Sequence, residues 1–142
     1  MSKYPTKKID KAWIQEHLTD ETVEWAKSFG EFLQKDDFKA HGSGPLTTSQ
    51  IRKFFGELKR IQADPVKYKN DIPLLKAKLA YAVGRDATSF KGIVSNKTKI
   101  KEFYEELEKG IGFIRLDHKE DIVNFVKIVE AVVAYHKFYG GK

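Results

Sequence analysis

The sequence predicts an all-α chain folded as a compact bundle of about five to six helices, on three observations. Apolar residues recur at spacings of three and four along most of the chain, and period-2 alternation is almost absent. Capping residues, prolines and glycines stand where those periodic runs begin and end. At 142 residues, 41% hydrophobic and without cysteine, the chain can bury a sizeable core with no disulfide or metal to staple it.

The first helix is expected from about Asp10 to Leu18. Thr19 or Asp20 caps a second, ending near Lys35, with Val23, Ala26, Phe29, Phe32 and Leu33 as its apolar stripe and Glu21 and Glu24 set against the helix dipole. Residues 40–46 hold two glycines, a serine and a proline and read as a flexible connection. They divide the chain into an N-terminal helical extension, 1–45, and a helical core, 46–142. The third helix opens at Thr47 or Thr48, with Gln50 completing a capping box, and runs to about Ala63. Its inward face is Ile51, Phe54, Phe55, Leu58 and Ile61. Asp71 ahead of Ile72-Pro73 starts a fourth, which carries Leu75, Leu79, Ala82 and Val83 inward and stops at Gly84. A fifth is expected from Ser95 or Asn96 to Gly110, with Ile100, Phe103, Tyr104 and Leu107 inside and Glu102, Glu105, Glu106 and Glu108 as a solvated face. Residues 111–116 read as a linker. Asp117 and Glu120 signal the last helix, whose Ile122, Phe125, Val126, Val129, Val132 and Val133 must be largely buried, and Gly140-Gly141 suit its C-cap.

Charge is uneven along the chain. Residues 47–101 carry 13 basic and 4 acidic side chains, whereas 1–46 carry 7 and 8, and 102–142 carry 6 and 8. A central excess of that size attracts a polyanion, so nucleic acid is the first partner to consider, against a lysine-rich surface that serves solubility alone. No apolar stretch approaches the ~20 residues of a membrane span, and the first residues lack the apolar stretch of a secretory signal. The chain is therefore expected to be soluble and cytoplasmic, with no membrane partner.

Catalytic chemistry finds no support. His17, His41, His118 and His136 do not stand with another His, Asp or Glu in the H-E-x-x-H pattern. His118 beside Asp117 reads as a helix start. The glycines form neither G-x-x-x-x-G-K-S/T nor G-x-G-x-x-G, and G-x-S-x-G is absent. No metal site, no cofactor and no enzymatic activity are expected. What remains is binding through basic helical rows: Arg52 with Lys59, Lys53 with Arg60, and Lys78 with Arg85 are each seven apart and so nearly in line. Such rows suit phosphate contacts, which carry no sequence information. Tyr68, Tyr81 and Tyr139 are candidates for base stacking, Tyr81 above all because it shares a face with Lys78 and Arg85.

Three stretches carry more than composition: LTTSQIRKFF at 46–55, LLKAKLAYAVGR at 74–85 and VEAVVAYHKFYGGK at 129–142. In order and spacing they resemble the small subunit of type III-A CRISPR effector complexes, the Csm-type small subunit, over roughly residues 46 to 142. The resemblance implies a small, all-helical, non-catalytic protein serving antiviral defence. In that family several copies stack into a filament inside a ribonucleoprotein, beside guide RNA and target RNA, against a large polymerase-like subunit and the backbone subunits. Sequence recognition is then delegated to base pairing, while the protein supports the backbone. Arg52 and Lys53 match the family's I-R-K step, Lys76 and Arg85 match the basic positions of L-[KR]…Y-x-x-G-R, and Lys137 matches in the final block. Lys59, Arg60 and Lys78 come from helical geometry alone. No role is carried over to the first 45 residues. Two other readings stay open: a helical protein–protein interaction module, and a free-standing nucleic-acid-binding protein. A helix-turn-helix fits poorly, because Pro65 and Pro73 follow Ala63 without a tight turn.

Overall fold

Asp10 opens the first helix by accepting a hydrogen bond from the Ala12 amide at 2.9 Å. Helix α1 spans Lys11–Gln15 only, shorter than expected, because tertiary donors take the carbonyls that a longer helix would have used. Asn124 Nδ2 reaches the Ile14 carbonyl at 2.9 Å, and Arg115 Nη2 reaches that of Gln15 at 3.2 Å. The structure is a computed structural model that describes residues 7–36 and 43–142.

Helix α2 spans Asp20–Gln34 behind Thr19, whose amide donates to Thr22 Oγ1 at 2.9 Å. Its buried stripe is Thr22, Trp25, Ala26, Phe29, Phe32 and Leu33. Val23, expected inside, is exposed. The helix is rotated so that Trp25 meets Trp13 of α1 and stacks on Phe29, burying far more apolar surface than a valine would. Of the connection expected at 40–46, residues 40–42, His41 among them, lie outside the described residues. The rest is pinned: Gly44 N donates to the Lys97 carbonyl and Leu46 N to that of Leu33, both at 2.7 Å, with Leu46 fully buried.

Helix α3, Thr48–Ala63, carries the expected capping box: Thr47 N donates to Gln50 Oε1 and Gln50 N to Thr47 Oγ1, at 2.9 and 3.1 Å. Ile51, Phe54, Leu58 and Ile61 are buried and Phe55 is half-buried. A single-turn helix α4, Pro65–Tyr68, and a 3₁₀ turn, Lys69–Asp71, lead into α5, Ile72–Asp86. Helix α5 runs past Gly84, which stays helical because only Gly92 and Gly140 among the described glycines have positive φ.

The sequence reading missed a β-hairpin. Strands β1, Ala87–Phe90, and β2, Ile93–Asn96, pair antiparallel with Phe90 opposite Ile93. The two-residue turn Lys91-Gly92 has φ of 52° and 82°, the left-handed pair that a tight hairpin requires and that glycine supplies. Thr98 forms a bridge with Gly44, and helix α6 starts only at Ile100, running to Phe113. It passes through Gly110 because that position is a contact, not an end: a Cβ there would lie 2.6 Å from Phe125 Cε1 and 2.8 Å from Ile9 Cδ1. The expected linker therefore begins as helix, with Ile111 and Ile114 buried. The acidic face is likewise not all solvated. Glu106 is 1% exposed, accepts the Ile9 amide at 2.7 Å and is approached by Lys8 and Lys109.

Helix α7, Lys119–Phe138, is central: α1, α2 and α3 all pack on it, while α5 packs on α6. Its expected cap is displaced, since the Asp117 carboxylate pairs with His118 instead. Ile122, Phe125, Val126, Val129 and Val132 are buried as anticipated, with Val133 half-buried. The buried apolar side chains form one cluster running from Ile9 to Val132. Gly140, at φ 100°, ends the helix in the left-handed form, and the last residues fold back. Gly141 N donates to the His136 carbonyl at 2.8 Å, and Lys142 O accepts from Thr48 N at 3.0 Å. His136 Nε2 meets the Leu46 carbonyl at 2.7 Å. Desolvation lowers this ring's pKa against the opposing effect of that carbonyl, and Lys137 lowers it further. The folded state then binds fewer protons here than the unfolded chain, so the contribution is complete above the ordinary histidine pKa and declines as pH falls below it. The melting temperature is expected to drop between pH 7.5 and 5.5, and His136→Gln to flatten that slope. An unchanged slope in the variant would remove His136 as its source.

Candidate nucleic-acid interface

Helices α3 and α5 hold most of the basic residues that the sequence singles out. On α3, Arg52, Lys53, Lys59 and Arg60 are all exposed, because the apolar spacing that turns Ile51, Phe54 and Leu58 inward leaves these positions on the flanks. Arg52 and Lys53 have no acidic partner among the described residues. Lys59 lies over the Phe55 ring, 5.9 Å from its centroid. Adjacent positions are about 100° apart, so Arg52 and Lys53 diverge and present a broad face instead of one line.

Arg60 and Lys78 meet across the α3–α5 contact on one carboxylate oxygen. Glu57 Oε2 accepts from Lys78 Nζ at 2.6 Å and from Arg60 Nη2 at 3.2 Å, and Arg60 also donates to Asp71 at 3.0 Å. The Lys78 ammonium foremost, with Arg60 adding to it against desolvation, holds the Glu57 carboxyl below its usual range. Two cations and two carboxylates thus cancel locally, and this pair adds little to the field at that point. Glu57 is the residue that the sequence reading overlooked. Its three-residue offset from Arg60 was the available signal.

The other predicted residues divide by position. Lys76 is half-buried and turned toward α6, its Nζ 3.6 Å from where a Cβ on Gly112 would sit. It is about 200° around α5 from Lys78 and does not join the α3 face. Arg85 does share the side of Lys78 and lies 5.9 Å from the centroid of the Tyr81 ring. Lys137 is exposed at the end of α7, and the contacts of His136 with Leu46 and of Lys142 with Thr48 bring that end against the start of α3. One basic residue of the central segment is withdrawn altogether: Lys99 is fully buried, donating to the Lys35 carbonyl at 2.6 Å and lying over Phe32.

Arg52, Lys53 and Lys59 on α3, Arg85 on α5 and Lys137 on α7 are thus exposed cations. Groups of this kind pair with phosphates, which carry no base-edge information. Among the described residues, no helix is long and apolar enough to cross a membrane.

Comparison with known proteins adds two findings. The family model described as Csm2 Type III-A matches residues 16–142, reaching back through α2 and beyond the region in which the resemblance was legible. Over 131 residues the chain is 33% identical to the Streptococcus thermophilus protein named CRISPR system Cms protein Csm2, an alignment covering 88% of this chain and 97% of that one. No solved structure matches.

Proposed function

The chain belongs to the Csm2 type III-A family and is a non-catalytic small subunit of a type III-A CRISPR complex; from that premise we propose that its exposed α3 and α5 cations hold the phosphate backbone of the guide or target RNA while copies of the chain stack alongside. The single observation that carries this reading is the exposure of Arg52 and Lys53, with no acidic partner among the described residues, on a helix whose capping box and buried face fix its orientation. Lys59, Arg85 and Lys137 extend the contact. Arg60 and Lys78 exchange Glu57 for a phosphate only at the cost of that pairing, and Lys76 stands apart. Stacking of copies, and packing on the large polymerase-like and backbone subunits, is supported by family membership.

The test is the salt dependence of single-stranded RNA binding by the full chain. Log K is expected to fall by about 0.7 per phosphate contacted for each decade of salt. Replacing Arg52, Lys53 and Lys59 together by alanine should reduce the slope by about 2 on the same basis, with the melting temperature unchanged. A flat salt response, or a triple variant that binds like the parent, would overturn the assignment of these cations.

A further inference from the structure

We infer that Tyr81 and Arg85 form a stacking site for one unpaired base of a single-stranded RNA, which rests on the backbone-holding role proposed above and adds base contact to it. Tyr81 is 68% exposed, on the face of α5 that also carries Lys78 and Arg85. The guanidinium carbon of Arg85 lies 5.9 Å from the ring centroid. A planar cation over one face of an exposed ring leaves the other face for the π-face of a base and sets the guanidinium where it meets the flanking phosphate.

The other two candidate tyrosines lack that opening. Tyr68 is half-buried with Arg60 at 4.8 Å and Lys67 at 5.2 Å from its centroid. Tyr139 is half-buried, stacked on Tyr135 and edge-on to Phe138. Charge around Tyr81 selects a polyanion. From Ile72 to Lys101 five basic residues are exposed, Lys78, Arg85, Lys91, Lys97 and Lys101, against one acid in that stretch, Asp86, whose Oδ2 already accepts from Thr98 N at 2.9 Å and Asn96 Nδ2 at 3.2 Å. The β-hairpin is rooted on the same turns of α5, through Asn96 Nδ2 to the Val83 carbonyl at 2.9 Å and Lys97 N to the Asp86 carbonyl at 3.2 Å. It leaves Ile93 and Val94 71% and 69% exposed, apolar surface beside the end of the helix that an acidic peptide would not need and a ribose or base would use.

The experiment compares binding of oligoadenylate with that of an abasic ribose-phosphate oligomer of equal length, each across a salt series, for the full chain and its variants. The parent is expected to prefer the base-bearing strand. Tyr81→Ala should weaken oligoadenylate binding by about 5- to 100-fold, the range of one lost base stack, with the salt slope and the abasic affinity unchanged; Tyr81→Phe should restore most of the loss. Equal binding of oligoadenylate by Tyr81→Ala and the parent, or an equal loss on both oligomers, overturns the stacking site and leaves the phosphate contacts standing. A parent chain that binds neither oligomer overturns both.

Discussion

Replacing Phe103 by alanine is expected to lower stability by about 3–5 kcal/mol, the usual range for a large aromatic removed from a core. Phe103 is fully buried at the point where α2, α3 and α6 converge: its ring lies nearly parallel to that of Phe29 with centroids 6.4 Å apart, and meets Phe54 edge-on at 5.5 Å. Its loss opens a cavity walled by two further rings, neither of which can collapse into it without breaking its own contacts. Domains of this size are stable by about 5–15 kcal/mol, so the variant should sit near the limit of folding, with a melting temperature lower by about 10–20 °C. Thermal and denaturant unfolding measure this, and an unchanged denaturant slope would show that the native state itself was weakened. Phe103→Leu should recover much of the loss. A change of only a few degrees for alanine would mean that this junction repacks freely.

Asp121→Asn carries the second large effect, about 1.5–3 kcal/mol, as expected for charge-assisted bonds to a buried group. The carboxylate is 1% exposed and takes three donors from Arg115: the backbone amide and Nε on Oδ2 at 3.0 and 2.9 Å, and Nη2 on Oδ1 at 3.0 Å. An asparagine of the same shape must turn an NH₂ toward one of those donors. Burial by itself would raise the acid's pKa, but the side-chain and backbone hydrogen bonds from Arg115 and its charge together lower it. With the folded value below the unfolded one, the stabilisation is present above the ordinary aspartate pKa of about 3.9 and is lost as pH falls through the folded value. The gap between parent and variant, measured by denaturant titration, should therefore stay constant above about pH 5 and close in the acid range. A gap that persists undiminished at pH 2 would place the effect in packing instead of charge. Because Arg115 also holds the end of α1, the variant should loosen the N-terminal segment first, which hydrogen exchange at residues 11–15 would show.

Much of the fold was legible because the third and last helices state themselves in short-range terms. Thr47 with Gln50, the run Ile51–Ile61 and the broad face from Ile122 to Val133 need only helical periodicity and a cap to be read. The family was legible in a similar way, from motifs lying mostly within single helices. The candidate site was legible as a set of exposed cations, since a residue opposite an apolar stripe faces solvent wherever that stripe is buried.

What the chain's own residues determined by themselves were the local quantities: helical periodicity, the α3 cap, the central excess of basic charge and the motifs of its family. Tertiary structure alone decided where α1 stops, because Asn124 and Arg115 come from about a hundred residues away to claim its carbonyls. It also decided that Gly110 is a helix crossing, that Glu106 and Lys99 are buried, and that Glu57 neutralises Arg60 and Lys78 while Lys76 turns to α6. The physical reason is common to these cases. Periodicity says which face of a helix is apolar, whereas the pairing of a charge or the fate of a carbonyl depends on which distant groups the packed faces bring within about 3 Å, and that is set only when the helices meet.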